Sequence, residues 1–255
     1  ISDTPDSLDV ISMMYPAELA EFELADMQTV RTKGTKVVYT ISFDKIQKEY
    51  TEKVKEGTET GTFDTYLKSE LDKQIGYAGN FDGLIAEYKG TNPIYMSAEQ
   101  KAEAKKNQDA FFSVVSTWKT GNADKLLTFQ GYPENLLEQT ILTSCKHIIL
   151  ATDNVTDDAQ LSVVARLAMV GSGVPTDRFV VAVSTASLDA ADKQTGFYDT
   201  DRALLEAAYW TTERSDDYTR AGLAIYNVQN DYYNAANTYL YVKSAINIMN
   251  PAPKK

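Results

Sequence analysis

Three charged residues within one short stretch carry the chemistry this sequence offers: Asp82, Glu87 and Lys89, in Phe81 to Gly90 (F-D-G-L-I-A-E-Y-K-G). In a strand, residues two apart share a face, so Ile85, Glu87 and Lys89 point one way and Leu84, Ala86 and Tyr88 the other. A carboxyl group and an ammonium group at the end of a buried apolar run can handle a ligand's protons or can simply pair with each other. The pair alone is no evidence of function. Carboxyl ends of strands open onto the active-site face in one architecture above all, the (β/α)8 barrel.

The elements around this stretch fit that architecture. Leu8 to Tyr15 reads as a short buried strand closed by Pro16. Ala17 to Arg31 reads as a helix with Leu19, Phe22, Leu24, Met27 and Val30 at near-helical spacing, ending at Gly34. Lys36 to Phe43 (K-V-V-Y-T-I-S-F) is a strand rich in β-branched and aromatic residues, with Asp44 placed to cap the next helix. A polar loop at Gly57 to Thr62 precedes a helix over Phe63 to Ile75, whose Phe63, Tyr66, Leu67 and Leu71 face the core. After the Phe81 strand, Ser97 as N-cap with Gln100 behind it opens a long helix to Lys119.

Further strands are predicted at Leu126 to Gln130, His147 to Thr152, Phe179 to Ser184 and Gly222 to Val228. Helices are predicted at Ala159 to Val170, Asp201 to Trp210 and Tyr239 to Met249. Strands and helices alternating in this way indicate parallel β-α units, so residues 1–255 are read as a single α/β barrel domain. Seven strands are legible where a closed barrel has eight.

The chain's 255 residues, 43% hydrophobic, suffice for one such core. A net charge of -11 argues against nucleic acid or an anionic membrane surface as partner and leaves neutral ligands such as sugars. No apolar run is long enough to span a membrane. The first residues (I-S-D-T-P-D-S-L-D) have neither the basic nor the apolar region of a signal peptide. One cysteine, Cys145, excludes an intramolecular disulfide and is expected as a buried apolar side chain. With one histidine, His147, and one cysteine, a conventional zinc site is not expected. Gly171 to Gly173 lacks the pattern of a phosphate loop, so no cofactor is expected.

The Phe81 stretch resembles the D-G-x-D-x-D-x-E signature of glycoside hydrolase family 18, the chitinases and endo-β-N-acetylglucosaminidases. Asp82 and Gly83 are in register, whereas Ile85, Glu87 and Lys89 stand where the second Asp, the third Asp and the catalytic Glu belong. Lys33 to Ile41 (K-G-T-K-V-V-Y-T-I), Gly222 to Tyr232 (G-L-A-I-Y-N-V-Q-N-D-Y) and Tyr241 to Pro251 (Y-V-K-S-A-I-N-I-M-N-P) resemble a lipoprotein subgroup of this family from glycan-foraging Gram-negative bacteria. The resemblance implies a (β/α)8 barrel that lacks its first strand in this chain, export to the periplasm or cell surface, and a glycan as ligand.

Family 18 enzymes are implied to use one Glu as general acid while the sugar's acetamido group attacks, oriented by an Asp two residues earlier, an exception to the two-carboxylate scheme. Here Lys89 takes the acid's place and Glu87 that of the orienting Asp. A lysine titrates near pH 10.4, far from the range that suits a donor to a leaving sugar oxygen, and a neighbouring carboxylate pushes it higher. Glu87, if it serves as the acid instead, lies one strand step, about 6.6 Å, deeper.

Substrate-binding candidates are Asp82, Glu87, Lys89, Tyr39, Gln130, Tyr132, Tyr226 and Asn227, the last two matching the aromatic-polar end of the family's last strand. Tyr15, like Tyr39, Tyr132 and Tyr226, lies at or near a predicted strand end, and Gln130, Asp153, Ser184 and Gln229 are chosen by position only. Aromatic residues in strands also serve as core. Three readings follow: a carbohydrate-binding protein that has lost the acid, an active glycosidase using Glu87, and a scaffold with no sugar site. Fold alone does not decide among them.

Overall fold

The computed structural model describes residues 1, 3–171 and 173–251. The chain divides into two compact units, one built on Leu8–Lys146 and the other on Asp3–Ser7, His147–Val170 and the residues from Pro175 onward.

The first unit alternates strand and helix: β1 (Val10–Met13), α1 (Glu21–Thr32), β2 (Lys36–Ser42), α2 (Phe43–Lys55), α3 (Phe63–Ile75), β3 (Gly83–Tyr88), α4 (Ala98–Gly121) and β4 (Leu126–Gly131). Its strands are parallel and lie in chain order, with β3 between β2 and β4 as the alternation predicts. Register sorts the side chains onto two faces. Val37, Tyr39, Ile41, Leu84, Ala86, Tyr88, Leu127 and Phe129 share the buried apolar face. Thr40, Ser42, Ile85, Glu87, Thr128 and Gln130 share the other. Helices cover the first of these: the Tyr88 ring lies 5.0 Å from Phe43 and 5.8 Å from Phe112.

Local chemistry sets the helix ends. The capping box at α4 forms as expected, Gln100 N–H donating to Ser97 Oγ (3.2 Å) and Ser97 N–H to Gln100 Oε1 (2.8 Å). At α2 the expected cap is displaced. The strand runs straight into the helix, so Ser42 takes the cap position, its Oγ accepting from Lys45 N–H (3.2 Å), and Asp44 falls in the first turn. In α1 the face is narrower than the spacing suggests: Met27 and Val30 are buried while Phe22 is 71% exposed.

The second unit contains β5 (His147–Leu150), α5 (Asp158–Ala168), β6 (Phe179–Ser184), a small antiparallel hairpin of β7 (Phe197–Tyr198) and β8 (Asp201–Arg202), then α6 (Ala203–Thr212), β9 (Arg220–Tyr226), α7 (Val228–Tyr232) and α8 (Leu240–Met249). Strands β5, β6 and β9 are parallel, with a bulge between Phe179 and Val180. The hairpin takes Asp201 and Arg202 from the helix expected over Asp201 to Trp210, which starts at Ala203 instead; two-residue strands leave no alternation to read. In the first unit, Cys145 is buried as expected.

Candidate functional site

At the carboxyl end of the first unit's sheet, Ser42, Glu87 and Gln130 stand abreast on the polar face. Gln130 Nε2 donates to Glu87 Oε1 at 2.6 Å, so a neutral amide orients the carboxylate. One pair back, Thr40 and Thr128 flank Ile85, the position where the family signature has an Asp.

Lys89 lies just past β3, and its backbone is fixed from two sides. The Lys89 and Gly90 N–H groups donate to Asp44 Oδ2 (2.7 Å) and Oδ1 (3.1 Å), and Asn135 Nδ2 donates to Lys89 O (2.7 Å). Asp44, expected as a cap, therefore serves as a clamp on the loop that carries Lys89. Buried Gln108 extends this frame, its Nε2 donating to Tyr88 Oη (2.9 Å) and Asn135 O (3.1 Å) while its Oε1 accepts from Leu137 N–H (2.9 Å).

Two candidates lie away from this cluster. Asp82 precedes β3 at the opposite end, where its Oδ2 accepts from Arg31 Nε and Val37 N–H, both at 2.8 Å. It ties α1 to the amino end of the sheet. Tyr39 is fully buried on the apolar face, with its hydroxyl donating to Gln74 O (2.9 Å) and its ring 4.7 Å from Phe81. Burial, first, and the neighbouring Tyr77 raise its pKa well above the usual tyrosine value. As a ligand contact Tyr39 is therefore corrected to a core residue, because odd positions of β2 face the helices.

Tyr132 follows β4, half-buried, beside Glu134. Burial raises the Glu134 carboxyl above the ordinary carboxylate range. The sign follows from linkage: from roughly pH 4 upward the unfolded chain has lost a proton that the folded chain still holds, so stability falls as pH rises through that window. Glu134→Gln is therefore expected to raise the thermal midpoint at pH 7 and to bring no gain at pH 3. Thermal unfolding at both values checks this, and an equal gain at both contradicts it.

In the second unit, Tyr226 ends β9 opposite Ser184 of β6. Asn227 follows in the left-handed conformation (φ 56°), with Nδ2 donating to Ser184 Oγ (2.8 Å) and its carbonyl accepting from Thr185 Oγ1 (2.6 Å). The turn leaves Tyr226 38% exposed. Gln229 is exposed in α7, Asp153 follows β5, and Tyr15 is exposed beyond β1.

Sequence reasoning missed the clamp, Glu134 and the exposed Tyr232 and Tyr233. The doublet in N-D-Y-Y was a readable signal; the clamp was not, since its partners are about 45 residues apart. Among the described residues, no group of three His, Cys, Asp or Glu side chains is placed to hold a metal.

Comparison with known proteins agrees with this frame. The family model for glycoside hydrolase family 18, BT1044-like, matches residues 1–248. An endo-β-N-acetylglucosaminidase from Cordyceps militaris superposes with a TM-score of 0.67 at 14% identity, over 98% of this chain and 83% of that one. A family 18 chitinase from Pseudoalteromonas aurantia superposes with a TM-score of 0.60 at 10% identity, over 95% and 94%. No curated protein matches the sequence. Similarity at these identities carries the fold, the α/β barrel type read from the alternating elements, while the family model carries the membership. With seven parallel strands among its described residues and that match over nearly its whole length, the chain belongs to glycoside hydrolase family 18, in the BT1044-like group.

Proposed function

We propose that this protein is a non-hydrolytic carbohydrate-binding member of its family, recognising a glycan that contains N-acetylglucosamine. The observation that carries the reading is the position of Lys89. The signature's acid position holds an ammonium group on a backbone clamped by Asp44 and Asn135, so no small loop shift brings a different side chain into its place. The polar face before it, with Glu87 oriented by Gln130, keeps hydrogen-bonding groups suited to sugar hydroxyls. The names of the two structural relatives supply the sugar. Export follows from the resemblance to the lipoprotein subgroup; no helix among the described residues is long and apolar enough to cross a membrane.

A second reading, hydrolysis by Glu87, is favoured by the oriented carboxylate itself. Against it stands the displacement of one strand step, about 6.6 Å, where even about 1 Å can cost roughly a hundredfold in rate.

Titration of the protein with chitooligosaccharides and an N-glycan core tests the proposal. Binding is expected, with Tyr226→Ala lowering affinity about three- to tenfold through loss of one aromatic contact. No binding to any of these ligands would contradict it.

A further inference from the structure

The segment from Gly222 to Val242 differs in composition from the rest of this acidic chain. Its twenty-one residues hold five tyrosines, four asparagines and a glutamine, and their one charged residue is Asp231. In a chain with 24% charged residues about five would be expected, so the segment itself is nearly uncharged.

Asp231 is buried and shapes the segment. Its carboxylate accepts from Val242 N–H (2.8 Å), in the first turn of α8, and from Asn234 Nδ2 (3.2 Å), while its carbonyl accepts from Tyr239 N–H (2.8 Å). The loop between α7 and α8 is thus closed at both ends, and its rings are ordered against one another. Tyr239 is buried and backs Tyr232 edge-to-face at 5.4 Å, and Tyr232 meets Tyr233 edge-to-face at 5.1 Å. The Tyr232 hydroxyl donates to Asp3 Oδ2 at 3.5 Å. Tyr233 remains 68% exposed. The braced loop thus presents two adjoining rings at its surface.

We infer that Tyr232 and Tyr233 form a second carbohydrate contact, which takes a distal sugar of a neutral oligosaccharide whose proximal part lies at Tyr226. The inference rests on the glycan reading above and adds residues and ligand length to it. Tyrosine offers an apolar face to a sugar ring and a hydroxyl to its edge, and it loses little side-chain freedom on binding. The flanking Asn227 and Gln229 amides are exposed and uncharged. Nucleic acid and anionic lipid would need several cations; the segment has none of its own, the first after Arg220 being Lys243, and the Arg202 guanidinium that reaches it lies over the Tyr241 ring at 4.5 Å. Tyr232 is the last residue of the five-residue α7 (Val228–Tyr232), which opens two residues after Tyr226, so the pair lies one short helix beyond Tyr226 along the chain and a longer ligand engages it more than a disaccharide bound at Tyr226 does.

The test is calorimetric titration of wild type, Tyr233→Ala and Tyr233→Trp with chitobiose and with a chitooligosaccharide of five or six units. Tyr233→Ala is expected to leave chitobiose affinity within twofold, to weaken the longer ligand three- to tenfold, and to be rescued by Tyr233→Trp. An unchanged affinity for both ligands, or an equal loss for both, overturns the second contact while the glycan reading stands. Wild-type protein that binds neither ligand overturns both. Self-association that Tyr233→Ala abolishes, without any change in glycan affinity, assigns the patch to a second copy and also overturns the inference.

Discussion

Gly131→Ala is expected to destabilise the protein by about 3–5 kcal/mol, enough to leave much of it unfolded, because backbone strain and overpacking each cost roughly 1–3 kcal/mol. Gly131 ends β4 with φ at 141°, a region that side-chain-bearing residues rarely enter, and a Cβ there would lie 1.9 Å from Tyr88 O. Neither contact partner can move cheaply. The Tyr88 carbonyl belongs to the paired strand, in register with Gly131, and the next residue is the clamped Lys89. Gly34→Ala is the matched control: φ is 95°, yet nothing lies within 4 Å of the added Cβ, so it should show only the strain, about 1–2 kcal/mol. Urea unfolding of the two variants beside wild type measures the difference. Equal losses would show that the close approach of β3 and β4 at this point is not as described.

The second large effect concerns activity. The double variant Lys89→Glu with Glu87→Asp is expected to cleave chitooligosaccharides roughly ten- to a hundredfold faster than wild type, at or below the lower end of the roughly 10²- to 10⁴-fold that general acid catalysis contributes. The clamp is the reason to expect any gain. With the backbone of residue 89 held by Asp44 and Asn135, a new carboxyl starts from a fixed position at the strand's end. Recovery stays partial because Ile85, buried between Thr40 and Thr128, still stands where the signature has an Asp. Initial rates with a fluorogenic chitobioside give the comparison. A double variant no faster than wild type would mean that residue 89 does not occupy the acid's place.

Much of the frame was legible in the residues, and the reasons differ from element to element. The alternation of apolar strands with capped helices located the seven parallel strands found among the described residues, and the Ser97–Gln100 box fixed the start of α4 because capping is local chemistry. Parity in β2 was also available: Thr40 and Ser42 mark one face, which places Tyr39 with Ile41 on the helix-covered side. What escaped depends on contacts between distant positions. The Glu87–Gln130 hydrogen bond joins residues 43 apart and needs the register of two strands. The raised pKa of Glu134 comes from burial, which no local pattern reports. Phe22 matched a helical spacing yet remains exposed, since spacing names a face without showing whether anything covers it. Gly222 to Tyr232 was legible as a resemblance, but the ordered tyrosines around it required the buried Asp231 to be seen holding Val242 and Tyr239.

The most direct test of the central claim, a family 18 cleft that binds without cutting, is a sensitive cleavage assay run beside a binding measurement on the same preparations of wild type, Glu87→Gln and Glu134→Gln. With chitooligosaccharides and N-glycan cores at neutral pH, the account predicts that wild type binds and releases no more product than either variant. Robust wild-type turnover that disappears in Glu87→Gln would contradict it and make Glu87 the acid.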